Sequence, residues 1–254
     1  MMNQNNQKIN VSSTRFKKVA NSGKPKGKFL ANWLLTKSYH LEKEVDQSQA
    51  SFFNKYKKGT VVMIDFGVNI GNELSNHHLA IVLNKEDNIK NGVLTVLPLS
   101  SKPNKHYLKL DDELFKTIIN DLYEKQSDID KELSELDFIV DETADIANGD
   151  EKTVTIITEN KKKEVTSEVD AILDYLKKKL AFLKDKNEKI SALITRYSKY
   201  NNDSYVCMKS IQTISKCRII TLNEYDPSGT IRLSKNTMDK IDRELVTVFT
   251  NIKI

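Results

Sequence analysis

Cysteine is scarce in this sequence. Its 254 residues include two, Cys207 and Cys217, ten positions apart and without a C-x-x-C pair. That usage argues against a disulfide framework or a thiolate metal cluster and fits reduced core thiols in a cytoplasmic protein. Long apolar runs are missing as well. No stretch approaches the roughly 18 apolar residues that a membrane-spanning helix needs, so no membrane partner is expected. The opening MMNQNNQKIN lacks the apolar segment of a secretory signal. Hydrophobic residues are only 39% of the total against 30% charged. One compact core through the whole length is therefore not expected, and a small domain carrying polar helical attachments is. A strong charge of one sign is lacking too: 40 basic residues against 35 acidic leave +5. This balance permits an anionic partner without demanding one.

What is present changes texture along the chain. Residues 1–28 are polar and Lys-rich, broken by Gly23, Pro25 and Gly27, and are expected to form a flexible basic arm. Residues 29–57 contain no Gly or Pro up to Tyr56, and the cluster Phe29, Leu30, Trp33, Leu34 predicts an N-terminal helix docking one end on a core. From Gly59 to Leu110 the runs TVVMIDF, HLAIVLN, GVLTVLPL and HYLKL alternate with turn-rich GVNIGNELSN, KEDNIKN and SSKPNK, predicting four strands of a small barrel or sandwich.

The period then switches. Leu114, Ile118, Leu122, Ile129, Leu133, Leu136 and Val140 recur at helical spacing, and so do Val169, Ile172, Leu176, Leu183, Ile190, Ile194 and Tyr197. These stripes predict an antiparallel, coiled-coil-like hairpin over 111–200, with Gln126 and Asn187 as polar interruptions and TVTIIT as a short extended segment in the joint. Its lysine runs 161–163 and 177–179 are most simply a solvated face. Strand texture returns with SYVCMKSIQTI and CRIITL, and Ser234 is placed to cap a last helix. Residues 58–110 and 201–254 thus form one domain, and the hairpin is an insertion in it.

Three motifs stand in that domain. KGTVVMIDFGVNIGNELSNHHLAIVLN is followed by TVLPLSSK and later by DSYVCMKSIQTISKCRI. In this order they resemble the MazF/PemK family of toxin endoribonucleases from type II toxin–antitoxin systems, over Lys58–Leu110 and Asp203–Phe249, with Asp65, Phe66, Gly71 and Glu73 matching the first family motif directly. The resemblance implies an α+β fold built on an SH3-like barrel and a likeness to homodimeric enzymes. It also implies cleavage of single-stranded RNA through attack of the ribose 2′-OH on the adjacent phosphate. Neither metal nor cofactor is implied. An antitoxin protein would restrain the activity, and DNA is a further partner of the toxin–antitoxin complex.

Such cleavage needs a group to take the 2′ proton, a group to protonate the leaving oxygen, and donors for the charged phosphorane. Aligned on the motifs, the family's catalytic Arg falls at His78 and its Thr/Ser at Ser100. His77 matches a His that some members carry just before the Arg. An imidazole exchanges protons near neutrality, which a guanidinium does not, but it loses the bidentate phosphate fork. His78 and Ser100 are therefore the expected catalytic pair and His77 a second candidate. Without the resemblance, both histidines read as residues capping a turn before a strand. Ser101, Lys102, Lys216 and Arg218 are candidate substrate contacts, Arg218 being equally readable as a structural ion-pair partner. Phe66 is a core residue or a base-stacking face. Gly71 and Glu73 are expected to shape the loop, and metal binding by the histidine pair is disfavoured because adjacent strand residues point to opposite faces. The competing reading is a catalytically silent module of the same fold that binds DNA or a protein.

Overall fold

The structure is a computed structural model that describes residues 2–48, 50–110, 112–147, 157–158, 161–162, 169–198 and 203–253. In chain order the elements are helices α1 (Met2–Ala20) and α2 (Pro25–Val45), then strands β1 (Val61–Asp65), β2 (His77–Val82), β3 (Val93–Ser100) and β4 (Leu108–Lys109). Helix α3 (Glu113–Ala147), strands β5 (Ile157–Thr158) and β6 (Lys161–Lys162), and helix α4 (Val169–Ser198) follow. Strands β7 (Tyr205–Val206), β8 (Gln212–Ser215) and β9 (Ile219–Ile220) and helix α5 (Lys235–Phe249) complete the order.

This is an α+β protein whose main sheet is antiparallel. Its strands run β4-β7-β3-β2-β1-β9, with β8 pairing to β3 off that path. The apolar strands are buried on both faces, so they read as continuous runs rather than alternating ones: Val61 to Ile64 and Leu79 to Val82 are all buried. Val62, Ile64, Phe66, Ala80, Val82, Leu94, Val96 and Ile214 form one core cluster. Ser234 caps α5, its Oγ accepting the Thr237 N–H at 3.2 Å, and Met238 and Ile241 of that helix are buried.

The chain divides into two compact units, residues 1–114, 202–221 and 228–254 in one and 115–201 with 222–227 in the other. In the second, Leu122, Ile129 and Leu136 of α3 and Leu176, Leu183, Ile190 and Leu193 of α4 are buried. The two polar interruptions meet: Gln126 Nε2 donates to Asn187 Oδ1 at 3.3 Å and to Ser191 Oγ at 3.2 Å. Paired in this way, they fix which turns of the helices face each other. Tyr197, fully buried, donates its hydroxyl to Asp226 at 2.6 Å and draws loop 222–227 onto α4. Of the extended segment expected in the joint, 157–158 pairs with 161–162, and the rest lies outside the described residues.

The N-terminal region departs from the sequence reading. Residues 1–28 are expected to be a flexible arm, yet 2–20 form α1. The sequence lacks Gly and Pro until Gly23, and Ile9 and Phe16, seven apart, lie on the side of α1 that meets Trp33, Leu34 and Leu41 of α2. Neither helix carries that apolar face alone. Helix α2 also starts four residues before Phe29, with Pro25 in its first turn, and stops at Val45 rather than near Tyr56; a first-turn Pro costs no hydrogen bond and presets φ.

Candidate active site

Three strand ends meet at one edge of the sheet. Asp65, the last residue of β1, is paired with His77, the first of β2, and Ile64 with His78. The β2–β3 register runs through Ala80↔Pro98; carried two residues further it sets His78 opposite Ser100, the last residue of β3. Asp65, His77, His78 and Ser100 therefore stand at neighbouring ends of strands β1, β2 and β3.

The β1–β2 loop is tightly built. Phe66 N–H donates to Asn76 O at 2.9 Å and Asn76 N–H to Gly67 O at 2.7 Å. Asn69 spans the loop, its Nδ2 donating to Phe66 O at 3.0 Å and Leu74 O at 2.6 Å. Gly71 takes a positive φ of 59°, as a loop-shaping glycine should. Glu73 is expected to hold this loop but is exposed at the cavity rim; Asn69 does that work. A backbone-bonding Asn in a Gly/Asn-rich loop is a signal the sequence offers, and one the motif alignment overlooked.

The two histidines differ. His78 lies on the core face, its ring 6.2 Å from Phe66 in an edge-to-face contact. Its Nδ1 meets Leu99 O at 3.2 Å and its Nε2 meets Ser75 O at 2.9 Å. Carbonyls only accept, so the neutral ring satisfies one of them and the imidazolium both. Burial pushes its pKa below that of an ordinary imidazole, the two carbonyls pulling the other way and His77 adding to the depression. His78 thus spans strand β3 and the loop. His77 is exposed, its Nε2 3.9 Å from the Asp65 carboxylate, and it is the more solvent-open of the two imidazoles.

Ser100 sits in a small turn, its Oγ accepting the Lys102 N–H at 3.0 Å and donating to Lys102 O at 3.2 Å. Ser101 and Lys102 are exposed there. Arg218 donates Nε to Asp65 O at 2.8 Å, and burial holds its pKa below the usual arginine value, with Asp65 opposing; a guanidinium stays charged regardless. It lines a cavity of about 450 Å³ together with Trp33, Lys37, His40, Asp65 and Glu73.

Two expected substrate contacts are not at the surface. Phe66 is fully buried in the core cluster and offers no stacking face. Lys216 is buried against Asp87, 2.7 Å away, with side-chain exposures of 2% and 0%, and it also donates to Asn54 O at 2.9 Å. An ammonium withdrawn from water needs such a set of acceptors, and with them it is committed to the fold rather than to a phosphate. Of the two cysteines, Cys207 is buried and Cys217 half-buried.

Among the described residues, no three His, Cys, Asp or Glu side chains converge as a metal site would require, and no helix is long and apolar enough to cross a membrane. No family model matches the chain, and no curated protein matches it significantly.

Proposed function

We propose that the chain is a toxin-type endoribonuclease of the MazF/PemK kind, cleaving single-stranded RNA without a metal. In this reading the seven-stranded sheet is an SH3-like barrel, and His77 carries the proton. The observation behind it is the exposed imidazole of His77 beside the Asp65 carboxylate, 3.9 Å away, at the sheet edge that also ends in Ser100. His77 takes the proton of the ribose 2′-OH as that oxygen attacks phosphorus. The P–O5′ bond breaks as the P–O2′ bond closes, and the leaving 5′-oxygen takes a proton from solvent, to which the His77 imidazolium returns its own, leaving a 2′,3′-cyclic phosphate and a 5′-OH. Ser100 and Ser101 hydroxyls and the charges of Lys102 and Arg218 stabilise the phosphorane. His78 becomes a positioning residue, bracing the loop against β3. A homodimer restrained by an antitoxin belongs to the same proposal.

The second reading, a silent module binding DNA or protein, draws on the hydrogen bonds that already engage His78 and Ser100. One assay separates the two. Purified protein incubated with single-stranded RNA in EDTA should give cyclic-phosphate ends, and His77→Ala should slow that cleavage about 10²–10⁴-fold, the range for a lost acid–base group. Unchanged cleavage by His77→Ala removes His77 from the mechanism, and no cleavage by the native chain favours the module.

A further inference from the structure

Helices α1 and α2 form a hairpin whose close point is Gly27, where any Cβ would run into the carbonyl oxygen of Val19. Away from that point the helices part and leave a groove of about 910 Å³. Its apolar lining is Ile9, Phe16, Trp33, Leu34, Leu35 and Leu41. Several of these are open to water, Ile9 at 64% and Leu35 at 72% exposure. Contiguous exposed apolar surface of this kind marks an interaction site. The surrounding charge is mostly of one sign: residues 1–41 contain eight lysines and arginines and no aspartate or glutamate, Glu42 and Glu44 following only in the last turn of α2.

We propose that this groove docks an amphipathic helix of a protein partner whose polar face is acidic. The aliphatic floor between two helices suits side chains at i, i+3, i+4 and i+7 of a third, and Lys17 and Lys37 on the rim meet carboxylates on that helix's flanks. A second copy of the hairpin would set nine lysines and arginines against nine, with only Glu42 and Glu44 of each copy to offset them, which like-charge repulsion opposes. Nucleic acid would satisfy the charge but has no aliphatic stripe for Leu34, Leu35 and Leu41. Trp33 lines the groove and also the cavity beside Arg218, and Lys26 of α2 donates to Asn69 O at 2.6 Å and Gly71 O at 2.7 Å in the β1–β2 loop. A helix in the groove is therefore felt at that loop. The docking surface stands whether or not the site cleaves RNA.

Trp33 is the only tryptophan, so its fluorescence reports occupancy directly in the full chain. The probe is a 20-residue designed helix with a leucine stripe at those spacings and glutamate elsewhere. It should give a saturable shift in Trp33 emission, weakened at least tenfold by Ile9→Asp with Leu35→Asp and weakened again by raised salt. Both substitutions fall on exposed side chains, and a far-ultraviolet dichroism spectrum checks that the helices persist. The proposal fails if the peptide does not bind or if a scrambled peptide of equal charge binds as well. It fails too if a 20-nucleotide poly(U) strand competes for the groove with the same dependence on Ile9 and Leu35. Self-association of the chain abolished by Leu35→Asp would assign the groove to a second copy instead.

Discussion

Lys216 and Asp87 are the ion pair most completely withdrawn from water among the described residues, and between them they tie three separate segments together. Lys216 Nζ reaches Asn54 O and Asn88 O as well as both Asp87 oxygens, while Asp87 also accepts the Tyr56 N–H at 2.9 Å. Removing one partner strands the other charge in the core. Lys216→Met is therefore expected to cost about 3–5 kcal/mol, measured by urea unfolding. Lys216→Met combined with Asp87→Leu should recover most of that loss, because no buried charge then remains. Burial pushes the Asp87 carboxyl up, but Lys216, the Tyr56 N–H and Asn91 outweigh it and hold it below the usual carboxylate range. The stability it contributes is thus complete above its unfolded pKa, about 3.9, and is lost as pH falls through the lower folded value. A shallower acid limb for Asp87→Asn in unfolding midpoints between pH 2 and 5 checks this. The motif match made Lys216 a phosphate contact because its neighbours in sequence resemble such a site. The carboxylate that claims it lies 129 residues earlier, and no local pattern announces a partner at that distance.

At the scale of elements, the junction between α2 and the sheet turns on Gly67. Its φ of +74° lies in the left-handed region, and the Trp33 indole occupies the space that a Cβ would need. Gly67→Ala must both strain the backbone, at about 1–3 kcal/mol, and displace the indole. Trp33, half-buried in the native chain, should then emit further to the red, and Trp33→Ala in the same background should relieve the steric part while leaving the backbone cost. Strands β1 to β3 and helix α5 were legible, because their apolar runs, turn residues and Ser234 cap are local signals. So were the hairpin stripes with their polar interruptions Gln126 and Asn187, though not that the two meet. Helix α1 was not, since its face consists of widely spaced Ile9 and Phe16 and acquires meaning only against α2. The site divides along the same line. Which residues reach these strand ends follows from strand order, whereas the way His78 is held depends on carbonyls contributed by Ser75 and Leu99, which no local pattern in the sequence marks.

For the whole molecule, the insertion leaves and rejoins the sheet at neighbouring strands. β4 and β7 pair directly, Leu108 with Val206 and Lys109 with Tyr205. Leu110 N–H donates to Ser204 O at 2.8 Å, and Lys109 and Asp203 form an ion pair at 2.7 Å. Replacing residues 112–202 with a short Gly/Ser turn should therefore leave a cooperatively folding unit with near-native strand content by circular dichroism. Loop 222–227 should become protease-sensitive, having lost the anchor of Asp226 to Tyr197. If the shortened chain does not fold, the sheet depends on the hairpin for more than connection.

Because chain exit and return share one β-ladder, the length of the hairpin is uncoupled from the geometry of the site. Seven residues added to each of α3 and α4 would lengthen both helices by about 10 Å and preserve the facing of their apolar stripes. No strand of the main sheet would need to move. Reach thus becomes a quantity that lineages, or protein engineers, can adjust by insertion and deletion alone, while the sheet edge bearing His77 and Ser100 stays under separate selection.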